Sequence, residues 1–91
     1  MIMFYVYVIE SLVNSYLYIG YTSDIVKRIK EHNQGLNFST KTNKPWKCIY
    51  CEACLNESDA RRREYYLKTT QGNRLLKRRL KDYLFEKKNL N

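Results

Sequence analysis

Two runs of aromatic and β-branched residues open the chain, Phe4-Tyr5-Val6-Tyr7-Val8-Ile9 and Tyr16-Leu17-Tyr18-Ile19-Gly20-Tyr21. Both have the composition of strands. Ser11-Leu12-Val13-Asn14-Ser15 between them is short and ends in turn-forming residues. An antiparallel hairpin is predicted, in which directly opposed residues share a face. The expected register sets Tyr7 opposite Tyr18 and Tyr5 opposite Gly20, leaving open space beside the Tyr5 ring.

The pattern then changes period. Thr22 or Ser23 can cap a helix, with Asp24 placed to meet its dipole. Ile25, Val26 and Ile29 form an apolar stripe through about His32, with Arg28 and His32 side by side on its flank. Lys27, Lys30 and Glu31 face water, and Asn33-Gln34-Gly35 ends the helix. Residues 36–45 are polar and basic, closed by the only proline, and read as a substrate-facing loop. Trp46 to Ala53 reads as a third strand. Asn56 caps a helix running to about Thr70, where Gly72 stops it. Ala60, Glu64 and Leu67 lie on its inward line, while Arg61, Arg62 and Lys68 point elsewhere. A final helix from about Asn73 to Lys87 turns Leu76, Leu80, Tyr83 and Leu84 inward and Arg74, Lys77, Arg78 and Lys81 outward. The expected fold is α+β, a small three-stranded antiparallel sheet flanked by helices in the order β-β-α-β-α-α. It forms one unit spanning 1–91.

Composition narrows the function. Apolar residues make up 44% of the chain, enough for a folded globule. No apolar run approaches a membrane span and no signal peptide follows Met1, so a cytoplasmic protein is expected. Net charge is +8 with pI near 9.5. From Arg61 to Lys88 there are eleven Lys or Arg against three acids, which favours a polyanionic partner, nucleic acid before membrane. Cys48, Cys51 and Cys54 have metal-like spacing. On a regular strand, however, Cys48 and Cys54 share one face and Cys51 the other, so they read as small buried side chains.

The inward Glu64 carries the chemical question, because a buried carboxylate needs a partner. Arg28 is the structural partner and a divalent cation the functional one. Phosphodiester hydrolysis needs an activated water, charge stabilisation at phosphate and help for the leaving oxygen. Tyr18 or Tyr7 can accept the water's proton, given nearby positive charge. Arg28 can grip phosphate through two donors. Glu64 can hold Mg2+ or Mn2+, and His32 can orient Tyr18 or shuttle a proton.

The motifs YVY, ten residues on YIG, and Arg28 ten residues after Tyr18 resemble the GIY-YIG nuclease family. The match continues through Glu31-His32-Asn33, Lys44-Pro45-Trp46-Lys47 and the Ala60, Glu64, Leu67-Lys68 pattern. It is similar to the small stand-alone members, which resemble the N-terminal domain of an excinuclease. Tyr5 stands where Gly is usual, a change common in those members. The resemblance implies catalytic roles for Tyr7, Tyr18, Arg28, His32 and Glu64, with Glu64 the metal ligand; whether an Asn of the family corresponds to Asn73 is left open, because its spacing varies. Residues expected to touch nucleic acid are Tyr5, Tyr21, Lys41, Lys44, Lys47, Arg62, Arg74 and Lys77. The leading expectation is a metal-dependent endonuclease acting on DNA, branched or single-stranded forms included and RNA not excluded. It would read structure rather than sequence and serve DNA repair or processing. The alternative is a catalytically inactive nucleic-acid-binding module of the same fold. A third reading is a protein-interaction module with an acidic partner.

Overall fold

The structure is a computed structural model that describes residues 1–89; the end of the expected 1–91 unit lies outside the described residues. Its elements are β1 (Phe4–Ser11), β2 (Leu17–Thr22), α1 (Ile25–Asn33), β3 (Trp46–Cys54), α2 (Glu57–Leu67), α3 (Thr70–Arg79) and α4 (Lys81–Asn89). The sheet order is β2-β1-β3 and both pairings are antiparallel. β1 is therefore the central strand, which explains its unbroken apolar run: residues 6–11 are all buried, because helices cover both faces. Val6 and Val8 pack with Ile19, Ala60, Leu67, Leu76 and Leu80 under α2 and α3. Tyr7 and Ile9 pack on the opposite face with Trp46, Tyr18, Ile25 and Ile29 of α1. Truncating fully buried Leu67 to Ala would cost ~2–5 kcal/mol.

The hairpin forms, but its register is two residues from the one expected. Tyr7 opposes Gly20, Tyr5 opposes Thr22, and Tyr18 opposes Ile9. A shift of two keeps every side chain on its face, so Tyr7 and Tyr18 still share one. The reason lies at the turn, where Ser11 belongs to β1. Its buried hydroxyl accepts from the backbone N–H groups of Val13 and Asn14 and donates to the Asn43 carbonyl at 2.6 Å. Ser15 completes the turn with φ of 66°.

Four local expectations change. Asp24 itself caps α1, its carboxylate accepting from the Lys27 N–H at 3.1 Å, and Val26 faces solvent. Gly72 does not stop α2. That helix ends at Leu67, Thr69 caps α3 by accepting from the Gly72 N–H, and Gly72 sits where a Cβ would fall 1.9 Å from the Tyr66 carbonyl oxygen. The glycine thus lets α3 cross tightly under the end of α2. The last helix breaks at Leu80, which brings Tyr83 and Lys87 of α4 onto the buried Glu10. A carboxylate with only 2% exposure needs those donors.

The cysteine assignment is also corrected. The β1–β3 register slips between Val8 and Ile9, so Val8 opposes Tyr50 while Ile9 opposes Cys48. This bulge at Ile49 resets the alternation. Cys48 and Cys51 share the face of Ile9 and Tyr7, and Cys54 opposes Phe4 on the other. Cys48 and Cys51 are exposed and Cys54 is half-buried, so they are not the small buried residues expected.

Candidate active site

Tyr7 sits at the middle of the central strand with 1% exposure. Only glycine can stand opposite it: a Cβ on Gly20 would lie 2.3 Å from both Cζ and Oη of the ring. Gly20 therefore makes room for Tyr7, not Tyr5. The phenol reaches His32, with Oη and Nε2 2.7 Å apart. His32 lies one helical turn beyond Arg28 on α1 and is fully buried. Its other nitrogen, Nδ1, is 2.7 Å from the Thr40 hydroxyl. Thus His32 orients Tyr7 through a hydrogen bond, whereas Tyr18 meets it only edge-on, with ring centroids 5.3 Å apart.

The Glu31-His32-Asn33 triplet has a structural logic. The Glu31 carboxylate forms an ion pair with Arg28 Nε at 3.2 Å, His32 holds Tyr7, and Asn33 brackets the start of β3. The Asn33 side chain donates to the Trp46 carbonyl at 3.1 Å and accepts from the Trp46 N–H at 2.6 Å. Trp46 in turn donates from Nε1 to the Thr40 carbonyl and lies against Tyr18. The loop before β3, including a short 3-10 turn at Lys41–Asn43, is thereby pinned behind His32.

Electrostatics push Tyr7 and His32 in opposite directions. Burial raises the Tyr7 pKa far above the usual phenol value, the neighbouring Tyr18 adds to the rise, and the Arg28 charge opposes it. Glu64 is near enough to push it further up. Burial lowers the pKa of His32, and Arg28 pushes the same way. Both groups are neutral near pH 7.

Glu64 approaches from α2, around the β2 edge of the sheet. It pairs neither with Arg28 nor with the core. Its Oε2 accepts from Lys68 Nζ at 3.1 Å, and the side chain is 24% exposed. Lys68, expected to point elsewhere, stands 5.9 Å from the centre of the Tyr18 ring. The i,i+4 spacing of Glu64 and Lys68 was the available signal. Among the described residues no three His, Cys, Asp or Glu converge as a metal cluster. Glu64 nevertheless suits a hard divalent cation. It offers a carboxylate oxygen without a hydrogen bond to any described residue, and Mg2+-like ions bind through one carboxylate while keeping several waters. The competing Lys68 pair is a solvated one, worth ~0.3–0.5 kcal/mol.

The structure brings Tyr7, Tyr18, Arg28 and His32 together on one face, with Glu64 at its edge. The expected nucleic-acid contacts are more dispersed. Tyr5 shares the Tyr7 face, and Lys41 and Lys44 lie in the pinned loop beside it. Tyr21 opposes Val6 on the other face, stacks on Phe4 and donates to Glu57. Lys47 opposes Glu10 on that same far face, near Tyr83. Arg62 is exposed and pairs with Asp59 at 2.7 Å, and exposed Arg74 and Lys77 belong to α3. Asn73 lines a hollow with Glu10, Leu17 and Lys77, on the face away from Tyr7. Thr40, Trp46 and Lys68 are the site residues that sequence reasoning missed.

The chain is similar to known proteins. The family model described as the GIY-YIG catalytic domain matches residues 3–77. UPF0213 protein SH2523 of Staphylococcus haemolyticus is 42% identical over 80% of this chain and 89% of its own length. UPF0213 protein YazA of Bacillus subtilis is 36% identical over 91% of this chain and 79% of its own. The solution NMR structure of the UPF0213 protein BH0048 from Bacillus halodurans superposes with a TM-score of 0.51 at 30% identity, covering 81% of each chain.

Proposed function

Because this chain belongs to the GIY-YIG family of nucleases, we propose that it is an endonuclease hydrolysing phosphodiester bonds, DNA before RNA, by recognising backbone structure rather than base sequence. A role in DNA repair or processing within the cytoplasm follows from that reading. The observation that carries it is the meeting of a buried Tyr7–His32 pair with Tyr18 and Arg28 on one sheet face, with Glu64 at its edge.

Each side chain has a task. Arg28, 38% exposed and held by Glu31, offers a guanidinium to a phosphate through a displaceable surface pair. Half-buried Tyr18 takes the proton of the attacking water, with the Lys68 ammonium over its ring as the nearby positive charge. Tyr7, kept neutral by burial, positions rather than deprotonates. Glu64 would hold Mg2+ or Mn2+, which when bound stabilises charge on the departing oxygen.

One observation favours the second reading, an inactive nucleic-acid-binding module: Arg28 and Glu64 are both already paired within the protein. Cleavage of branched, flap, single-stranded and duplex DNA and of RNA, across an Mg2+ and Mn2+ titration, decides between them. Glu64→Gln should abolish metal-dependent cleavage while affinity without metal stays equal or rises. A wild type inert on every substrate and metal makes the binding module the better reading.

A further inference from the structure

The geometry points to Cys48 and Cys51 as a two-thiolate site for a soft monovalent cation of the Cu(I) class, on the edge strand β3. The site stands apart from the nuclease reading and uses none of its residues.

Two exposed cysteines are an anomaly. Cysteine is among the most buried residue types, yet Cys48 and Cys51 are both free and exposed. On a regular strand their C-x2-C spacing would send the two side chains to opposite faces. The bulge reverses that. Ile49 and Tyr50 both pack against the core cluster that holds Val8, taking two successive positions on one face. Cys48 and Cys51 flank them on the other face, opposite Ile9 and Tyr7.

Ile9 and Tyr7 are two residues apart on a strand, so the cysteines opposite them stand about 7 Å apart at Cα. The Cys48 thiol leans along β3 toward Cys51, donating to the intervening Tyr50 carbonyl at 3.5 Å. Partial burial of its sulfur raises the Cys51 pKa, and the neighbouring Cys48 adds to the rise. Burial raises Cys48 as well. Both are therefore thiols near neutral pH, within electrostatic reach of each other.

This spacing selects the chemistry. A disulfide needs Cβ atoms about 3.8 Å apart, and side chains standing parallel on one face keep them about as far apart as their Cα atoms. Closing that bond would drag the strand. A metal ion spans the gap instead, because bonds of about 2.3 Å to each sulfur leave the two sulfurs up to about 4.6 Å apart. Structural zinc takes four ligands, and among the described residues no three His, Cys, Asp or Glu converge. His32 is occupied by Tyr7 and Thr40, and Cys54 lies on the far face. A soft d10 ion such as Cu(I) is satisfied by two thiolates in line, and thiolate ligands favour it over harder cations. Each bound ion displaces both thiol protons to solvent, so no oxidant is consumed and the net charge falls by one.

Cu(I) supplied anaerobically as its coloured bicinchoninate complex is the probe, added to the reduced full chain. The wild type should withdraw one Cu(I) per chain and keep the sedimentation coefficient it has without metal. Cys48→Ser and Cys51→Ser should each lower the affinity at least ~10²-fold, beyond the usual loss when only a supporting neighbour of a ligand is removed. Cys54→Ser should bind as the wild type does. Because both positions are exposed, the serine variants should keep the wild-type melting temperature in the absence of metal. Cu(I) uptake that survives either Cys48→Ser or Cys51→Ser overturns the proposal, as does uptake that depends on Cys54 or an ion held between two chains. Zn2+ bound as tightly through the same pair refutes the two-coordinate selectivity. Ready closure of a Cys48–Cys51 disulfide by diamide, read by mass spectrometry, refutes the spacing. Cleavage enters none of these readouts, so a failed nuclease reading leaves the site standing.

Discussion

Replacing Gly20 with alanine adds one methyl group at the worst place in the site. That carbon would lie 2.3 Å from Cζ and Oη of Tyr7 and 2.9 Å from Cε1, where ordinary contact begins at 3.4 Å. The ring must retreat by roughly 1 Å, yet it is 1% exposed, packed on Ile9 and Trp46, and tied to His32. Overpacking of this kind costs ~1–3 kcal/mol, and stretching the Tyr7–His32 hydrogen bond adds ~0.5–1.5 kcal/mol. The total of about 2–4 kcal/mol should lower Tm by ~8–32 °C in a domain of this size. Cleavage should fall at least ~10²-fold, because catalytic geometry is lost with an ångström of displacement.

The specific claim is that the cost comes from the Tyr7 ring and not from β2 itself. Tyr7→Leu removes the clashing atoms while keeping an apolar side chain. In that background Gly20→Ala should cost under ~0.5 kcal/mol, a coupling of roughly 2–3 kcal/mol across the pair. Urea denaturation of the four proteins measures it. Equal costs of Gly20→Ala in both backgrounds would show that the strand, and not the tyrosine, demands glycine, and the reasoning would fail.

Tyr18→Phe keeps the ring between His32 and Trp46, so melting should change little while cleavage drops at least ~10²-fold; full activity would remove Tyr18 as proton acceptor. Binding to DNA should be governed by phosphate contacts. With about five phosphates neutralised, log K should fall against log salt at a slope of about −3.5 to −4.5, and a flat response would refute a nucleic-acid partner. Stability should decline in acid through His32. Its folded pKa lies below the ordinary value near 6.5, so the unfolded chain binds the extra proton first. The stabilisation is present above about pH 6.5 and is lost as pH falls through the folded pKa; urea titrations from pH 7.5 to 5 should show the decline, and His32→Gln should flatten it.

Much of the fold was legible because single-strand and single-helix patterns are local. The two aromatic runs, the Ile25–Ile29 stripe, and the Ala60 and Leu67 spacing each named an element and a buried face without knowledge of its neighbours. What failed depended on distant contacts. The hairpin register turned on Ser11 being taken into β1 by Asn43, over thirty residues away in sequence. The cysteine faces turned on a bulge at Ile49, which has no glycine or proline to announce it. Gly72 looked like a helix stop, since glycine usually is one. Here it is the point where two helix backbones come too close for a Cβ.

The site divides along the same line. Tyr7, Tyr18, Arg28, His32 and Glu64 could be named from chain motifs, but their pairings could not. The inward stripe of α2 left Glu64 to be balanced by Arg28 or by a cation, and His32 was expected to orient Tyr18 or shuttle a proton. Instead each charge is matched by its own helix, Arg28 by Glu31 and Glu64 by Lys68, and the histidine is given to Tyr7. Self-matching within helices has a mechanical consequence. Both pairs are solvated and weak, so a phosphate can take Arg28, and a cation can take Glu64, without disturbing the core. The Thr40–His32–Tyr7 chain is the opposite: fully buried and held by backbone on several sides. A site with exchangeable charges around a fixed buried chain is suited to receive a ligand without rearranging the sheet beneath it. The rigid half is set by a threonine in a polar loop that carries no sequence signature of its own, and for that reason it was the half that could not be read from the chain.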